Sequence, residues 1–135
     1  MKSRTGSWLF GFLIFVLSPL SAIAQGPVWQ RHMEAGARAY EQGRYAEAQR
    51  RLQAALKEAE ALASESVHVA ETLHGLGVVY SAQDRYADAE RIRKRALAIS
   101  EKILGPSHPD VATALNNLAE SYVDQGKDAL QGYLN

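Results

Sequence analysis

The sequence predicts an all-α fold, a solenoid of antiparallel helix pairs with about two and a half repeats. The first observation is an internal repeat, because a set of large residues recurs 42 positions later: Val69, Leu73, Leu76 and Tyr80 return as Val111, Leu115, Leu118 and Tyr122. The second is their spacing at steps of four, three and four, which is the apolar face of an α-helix. Fixed-period similarity of this kind predicts stacked helical units.

The repeat extends towards the N-terminus with a period of 41 residues. The matching pairs are Gly36 and Gly77, Tyr45 and Tyr86, and Ala48 and Ala89. The predicted repeats cover about residues 28–66, 67–108 and, in part, 109–135. Within them we expect helices over about 28–42, 45–63, 69–82 and 86–104, and a fifth that Asp110 caps and that runs to about 125.

Three strings make the repeats specific: AGARAYEQGRYAEA (35–48), LGVVYSAQDRYADA (76–89) and LGPSHPDVATALNNLAESY (104–122). With them the chain resembles the tetratricopeptide-repeat family, in a longer form similar to the repeats of kinesin light chains. The resemblance implies a right-handed α-solenoid over residues 25–135. It also implies a surface that binds partners, and no particular chemistry.

The recurring small and aromatic residues predict how the helices pack. Gly36 and Gly77 fall inside helices, where glycine costs about 1 kcal/mol relative to alanine, so we expect a close helix approach there. Ala119 is the third equivalent, Ala48 and Ala89 are expected at the close crossings, and Tyr80 and Tyr122 complete the signature. The inner stripes of the second helices are predicted to be Ala48, Leu52, Ala55, Ala59 and Leu62, and Ala89, Ile92, Ala96, Ile99 and Ile103.

Tyr45 and Tyr86 open the second helix of their repeats, and we expect each to be wedged between successive helices. Truncation of a buried aromatic side chain costs about 3–5 kcal/mol. Whole domains have only about 5–15 kcal/mol of stability. On this expectation Tyr86→Ala largely unfolds the protein.

The first 24 residues have the layout of a secretory signal peptide. Lys2 and Arg4 form a basic start, residues 8–17 are an uninterrupted apolar run, and Ala22-Ile23-Ala24 is a small-residue cleavage pattern. We expect cleavage near Ala24–Gln25 and export to the periplasm or the extracellular space, with no stable membrane insertion afterwards. An uncleaved anchor is the alternative, although the run is short of the roughly 20 residues that a spanning helix needs.

The charge balance argues against nucleic-acid binding. The chain has 15 basic and 15 acidic residues, and removal of Lys2 and Arg4 leaves 13 against 15, a net charge of −2. A nearly neutral domain gives no electrostatic reason to bind nucleic acid or anionic lipid. The chain has no cysteine, so it offers neither a lipid-anchor site nor a thiol nucleophile.

No motif predicts a metal, a cofactor or catalysis. The histidines are His32, His68, His74 and His108, and none is four residues from another. Gly75-Leu76-Gly77 starts like a dinucleotide fingerprint, but the third glycine and the preceding strand are missing. Arg91, Arg93, Lys94 and Arg95 form a basic cluster that we interpret as a solvated outer face, since acidic residues adjoin it. We therefore expect no enzyme activity.

The resemblance implies that the first helix of each repeat lines a concave groove. Seven residues are the predicted groove contacts: Tyr40, His74, Val78, Ser81, Asn116, Asn117 and Glu120. An asparagine side chain both donates and accepts hydrogen bonds, so it suits the backbone of an extended peptide. The alternative is that these residues only face solvent.

The third repeat departs from the family pattern after Gly126. Asp128 and Gln131 stand where a tyrosine and an alanine are expected. Because a repeat needs a neighbour or a polar cap to cover its apolar face, this end predicts a contact with another chain, including a second copy. A shortened relative of a larger signalling or enzyme protein is the other alternative.

Overall fold

The computed structural model describes residues 27–126, which form five α-helices. They are α1 (Val28–Glu41), α2 (Tyr45–Leu62), α3 (Val67–Ala82), α4 (Tyr86–Leu104) and α5 (Pro109–Asp124). No strand occurs in this part of the chain. The prediction of an all-α solenoid is confirmed, and no predicted helix bound differs from the observed one by more than two residues.

Each helix packs mainly against the next one along the chain. The principal contacts are α1 with α2, α2 with α3, α3 with α4 and α4 with α5, while α1–α3 and α3–α5 contacts are few. The two complete pairs, α1–α2 and α3–α4, thus stack side by side, and α5 adds to the α4 side. Within residues 27–126, no helix is both long enough and apolar enough to cross a membrane.

The turn after the first helix of each pair has the same backbone conformation. Gly43, Asp84 and Gly126 occupy equivalent positions in the repeat, and all have positive φ, at 73°, 59° and 67°. Aspartate is one of the few other residues that adopt the left-handed conformation readily. The Asp84 carboxylate also accepts a hydrogen bond from the Tyr86 hydroxyl at 2.8 Å, which ties the turn to the start of α4.

Caps determine where α3 and α5 begin. Ser66 Oγ accepts a hydrogen bond from the backbone N–H of Val69 at 3.2 Å, as an N-cap serine does. At α5 the expectation of an Asp110 cap was wrong. The cap is His108, whose Nδ1 accepts from the backbone N–H of Asp110 at 3.1 Å, and Pro109 takes the first helical position, where its missing N–H costs nothing.

Two apolar clusters hold the helix pairs together. The first lies between α1, α2, α3 and α4 and contains Ala39, Ala48, Leu52, Leu76, Val79, Tyr80 and Ala89. The second lies between α2, α3 and α4 and contains Ala59, Val69, Leu73, Ala96 and Ile99. Ile92 packs partly against both. Every member of the two clusters comes from the first four helices.

The two helical glycines lie where a second helix comes close. A Cβ atom at Gly36 would lie 2.9 Å from Leu52 Cγ, and one at Gly77 would lie 2.9 Å from Arg93 Cγ. Ala48 and Ala89 are fully buried. The third small residue, Ala119, is exposed, so no close approach at this position explains it within the described residues.

Three expectations about burial were wrong. Tyr86 is only partly buried and lies outside both apolar clusters, and its hydroxyl donates a hydrogen bond to Asp84 instead of packing between helices. Leu62 and Ile103, expected on inner stripes, are 79% and 41% exposed. Both lie in the last turn of their helices, where the chain leaves the packed region. The predicted signal peptide (1–24) and residues 127–135 fall outside the described residues.

Candidate functional site

A pocket of about 240 Å³ opens between α3, α4 and α5. We call it the α3–α5 pocket. Its apolar wall consists of Val67, Ala70, Ala96, Ile103, Leu104 and Ala114. Pockets for drug-sized ligands usually measure about 300–1,000 Å³, so this one is smaller than most ligand sites.

Arg93 is the buried polar residue of the pocket. Its side chain is 4% exposed, and its Nη1 donates a hydrogen bond to Ser121 Oγ on α5 at 2.7 Å. The Glu120 carboxylate is close by, but its Oε2 lies 3.9 Å from Nη2 and its side chain is mostly exposed. Among residues 27–126, Arg93 Nε has no hydrogen-bond partner. Burial lowers the pKa of Arg93 from its usual value, although a guanidinium stays protonated at neutral pH.

The interpretation of the basic cluster as an outer face was wrong for Arg93. The other three cations of the cluster are exposed and paired with carboxylates: Arg91 with Asp88 at 3.2 Å, Lys94 with Glu90 at 2.7 Å and Arg95 with Glu60 at 2.5 Å. Arg93 points the other way, because it occupies the position of Leu52 one repeat later. The 41-residue offset that matched the glycines contains this signal.

His74 and Asn117 meet at the edge of the pocket. The Asn117 side-chain amide lies 2.8 Å from His74 Nδ1 and links α3 to α5. Burial of part of the ring, and then the charge of Arg93, lower the pKa of His74 below 6.5. Glu120 and Glu71 act in the opposite direction but more weakly. These effects favour the neutral imidazole, in which one ring nitrogen accepts a hydrogen bond while the other carries hydrogen.

The structure brings together only part of the predicted groove set. His74 and Asn117 line the α3–α5 pocket, and Glu120 lies beside Arg93. Asn116 is exposed on α5 outside the pocket lining. Val78 and Ser81 are partly buried along α3, and Ser81 Oγ finds no hydrogen-bond partner in the described part of the chain. Tyr40 lies apart, with its ring 5.4 Å from the ring of Tyr45.

Sequence reasoning missed most of the pocket wall. Ala70, Ala96, Ser100 and Ala114 are small residues that look like ordinary helix positions. The pocket is the volume that small side chains on neighbouring helices leave unfilled. The residue pattern of one helix does not show which small residues of another helix lie opposite. Comparison with the equivalent positions of the neighbouring repeat shows a loss of bulk at two of these positions, where Ala70 replaces Trp29 and Ala114 replaces Thr72.

The charge around the pocket is negative. Helices α3 and α5 contain four carboxylates, Glu71, Asp110, Glu120 and Asp124, and neither helix contains a lysine or an arginine. Glu71 and Asp110 line the pocket itself. Arg93 lies in its interior beside Glu120. The carboxylates at the opening therefore outnumber the single buried guanidinium of the pocket.

Residue types that ligate metals do not gather in the part of the chain that the structure describes. No cluster of three histidine or acidic side chains that could hold a metal ion occurs in residues 27–126. The polar groups of the α3–α5 pocket are an arginine, a histidine bound to an amide, a serine, a threonine and two carboxylates. What this arrangement offers is an apolar hollow with polar groups at its edge.

Comparison with known proteins agrees with the helical architecture. The tetratricopeptide-repeat family model matches residues 33–102 and 68–130, which overlap and together span most of the chain. A secreted RxLR effector protein of Plasmopara halstedii is 29% identical over 82 residues. The match covers 59% of this chain, and the chain spans about a quarter of the relative's length.

Proposed function

Because the chain belongs to the tetratricopeptide-repeat family, we propose that it is an exported interaction module with no catalysis of its own. It binds a peptide or a protein segment on the surface that α3 and α5 form. Its partner is a protein rather than nucleic acid. The observation that carries this proposal is the α3–α5 pocket, an apolar hollow on a family scaffold that generally binds proteins.

Export rests on two separate observations. The first 24 residues follow the pattern of a signal peptide, with two basic residues, an apolar run and a small-residue cleavage site. The relative in Plasmopara halstedii is described as secreted. Expression of the full chain in its source, followed by N-terminal sequencing of the secreted form, tests this. A mature terminus at Gln25 is expected, and retention of Met1 in a membrane-bound form would contradict export as a cleaved protein.

The interaction role is tested by capture of a partner. The full chain is cross-linked in its native envelope and purified beside the variant Asn116→Ala with Glu120→Ala. Both side chains are exposed, so this variant is expected to fold. A matched control, Arg50→Ala with Lys57→Ala, changes two exposed residues on α2. One dominant partner that the control keeps and the first variant loses is expected. The same proteins recovered with every form would contradict the proposal.

A second role has one specific observation in its favour. The side of α5 away from α4 exposes apolar side chains, with Leu115 at 40% and Val123 at 66%. A surface of this kind favours association of two copies. Sedimentation over a hundredfold range of concentration distinguishes the two roles. A monomer at every concentration would exclude self-assembly and favour the interaction module. A dimer that Val123→Glu dissociates would support self-assembly.

A further inference from the structure

The junction between α1 and α3 shows what fills the equivalent of the α3–α5 pocket. Trp29 of α1 lies across this first junction and packs against the cluster that contains Ala59. Its Nε1 donates a hydrogen bond to Thr72 Oγ1 at 2.7 Å. Its ring lies 4.2 Å from the ring of His68, centroid to centroid. One indole therefore closes the space between the two helices.

Each of the three residues in this contact, Trp29, His68 and Thr72, is replaced by a different residue type one repeat later. Ala70 stands 41 positions after Trp29, and Asp110 and Ala114 stand 42 positions after His68 and Thr72. Ala70, Asp110 and Ala114 all line the α3–α5 pocket. The pocket thus lies where the second junction lacks the aromatic side chain that closes the first.

The lost volume indicates the kind of side chain that fits. In the first junction a planar aromatic group with one polar edge fills the space. The α4 residues that line the second junction are as small as their equivalents on α2, since Ala96 and Ser100 stand in place of Ala55 and Ala59. The guanidinium of Arg93 also lines the pocket. An aromatic face against a guanidinium is a favourable contact.

The surrounding charge indicates the sequence around that side chain. Glu71 and Asp110 replace the neutral Gln30 and the imidazole of His68 at equivalent positions, so acidic groups appear where the pocket opens. The exposed cations of α4 do not offset them, since Arg91, Lys94, Arg95 and Lys102 each pair with a carboxylate elsewhere.

We propose that the α3–α5 pocket takes an aromatic side chain from a basic segment of a partner protein, in the place that Trp29 occupies in the first junction. This rests on the proposed interaction role and specifies its ligand. The aromatic ring enters between Ala70 and Ala114. Basic residues on either side of it face Glu71 and Asp110.

The test uses three capped pentapeptides as probes: Lys-Lys-Trp-Lys-Lys, Lys-Lys-Ala-Lys-Lys and Glu-Glu-Trp-Glu-Glu. Binding to the full chain is followed by calorimetry at low salt. The first peptide is expected to saturate one site, and the other two to bind at least about tenfold more weakly. Equal binding of the alanine peptide would overturn the aromatic part, and equal or tighter binding of the acidic peptide would overturn the basic part.

Ala70→Trp places the indole in the pocket from within the chain. It is expected to weaken binding of the tryptophan peptide by at least about tenfold and to raise the midpoint of thermal unfolding. The matched control is Ala112→Trp, at the next equivalent position, which is exposed on α5 and outside the pocket lining. Unchanged binding by Ala70→Trp would overturn the proposal.

A second variant keeps the test independent of whether Ala70→Trp folds. Glu71→Gln with Asp110→Asn changes two exposed side chains. It is expected to weaken the tryptophan peptide several-fold and to reduce the salt dependence of binding. Unchanged affinity and salt dependence would refute the electrostatic part.

The failures of this inference and of the proposed function are distinguishable. A natural partner that Ala70→Trp keeps but Asn116→Ala with Glu120→Ala loses would leave an interaction module and refute the pocket as its site. Absence of any partner, together with no saturable peptide binding, would remove both.

Discussion

Helices α3 and α5 have the same apolar pattern but different surroundings. In α3, Leu73 is 0% exposed, because α2 packs on one side and α4 on the other. Its equivalent in α5, Leu115, is 40% exposed, because among the described residues only α4 makes extensive contact with α5. The same leucine position is therefore core in one helix and partly exposed in the other.

The difference shows that a repeat residue has a role only with its neighbours. In the first junction Leu52 packs with Val79, and both belong to the first apolar cluster. In the second junction Arg93 and Ser121 take these positions, and a hydrogen bond replaces the apolar contact. The chain thus joins its first four helices through apolar packing and attaches α5 partly through polar groups.

The largest expected effect separates the two leucines. Leu73→Ala is expected to lower the free energy of unfolding by about 2–5 kcal/mol, because it empties a fully buried site. Leu115→Ala is expected to cost about 1 kcal/mol or less, as substitutions of partly exposed residues do. Urea denaturation of both variants measures the difference. Equal losses in the free energy of unfolding would mean that Leu115 is buried against another surface in solution.

The second prediction converts one junction into the other. Arg93→Leu with Ser121→Val gives the second junction the residues of the first. Replacement of a buried ion pair by well-packed apolar residues is often neutral or stabilising by about 1–4 kcal/mol, and we expect the same direction for this double variant. Arg93→Ala alone is expected to destabilise, since it leaves a cavity and removes the partner of Ser121.

Urea midpoints of the native chain and the two Arg93 variants make the comparison. If the double variant loses stability, then the polar attachment of α5 contributes more than apolar packing would.

The third prediction compares the two tyrosines that open α2 and α4. Tyr45 packs partly against the first apolar cluster, whereas Tyr86 lies outside both clusters and bonds Asp84. Tyr45→Ala is expected to cost more than Tyr86→Ala, which should cost about 1 kcal/mol. Thermal unfolding followed by circular dichroism measures both. Global unfolding by Tyr86→Ala would instead support the sequence-based prediction that Tyr86 is wedged between successive helices.

The smallest expected effect concerns pH. The pKa of His74 is lower in the folded chain than its ordinary value of 6.5, so the unfolded chain binds the proton more readily. Above pH 6.5 the titration of His74 therefore does not reduce the free energy of unfolding. As the pH falls below 6.5, the free energy of unfolding decreases.

His74→Gln keeps an amide partner for Asn117 and removes the titration. Its loss of stability between pH 7.5 and pH 5 is expected to be smaller than that of the native chain, because of linkage. An identical pH dependence of the urea midpoint would show that His74 contributes nothing. A steeper dependence in the variant would reverse the sign of the effect.

Most of the fold could be predicted from the sequence, since the period, the glycines and the apolar steps all indicate the same helices. The pocket could not. It depends on Ala70 standing opposite Ala114, and such a meeting of two small residues requires the relative placement of α3 and α5. Arg93 was predicted only in part. The helix that carries it was predicted, but the inward direction of its side chain was not. The repeat offset from Leu52 places it inside, although its charge suggests the outside.

Native-state hydrogen exchange, compared between α3 and α5, tests the central difference most directly. Amides of α3 are expected to exchange only with global unfolding, because both of its sides are packed. Amides of α5 are expected to exchange through a smaller opening, at a free energy below the global value. Equal protection of the two helices would contradict the account, because it would make α5 part of the same cooperative core.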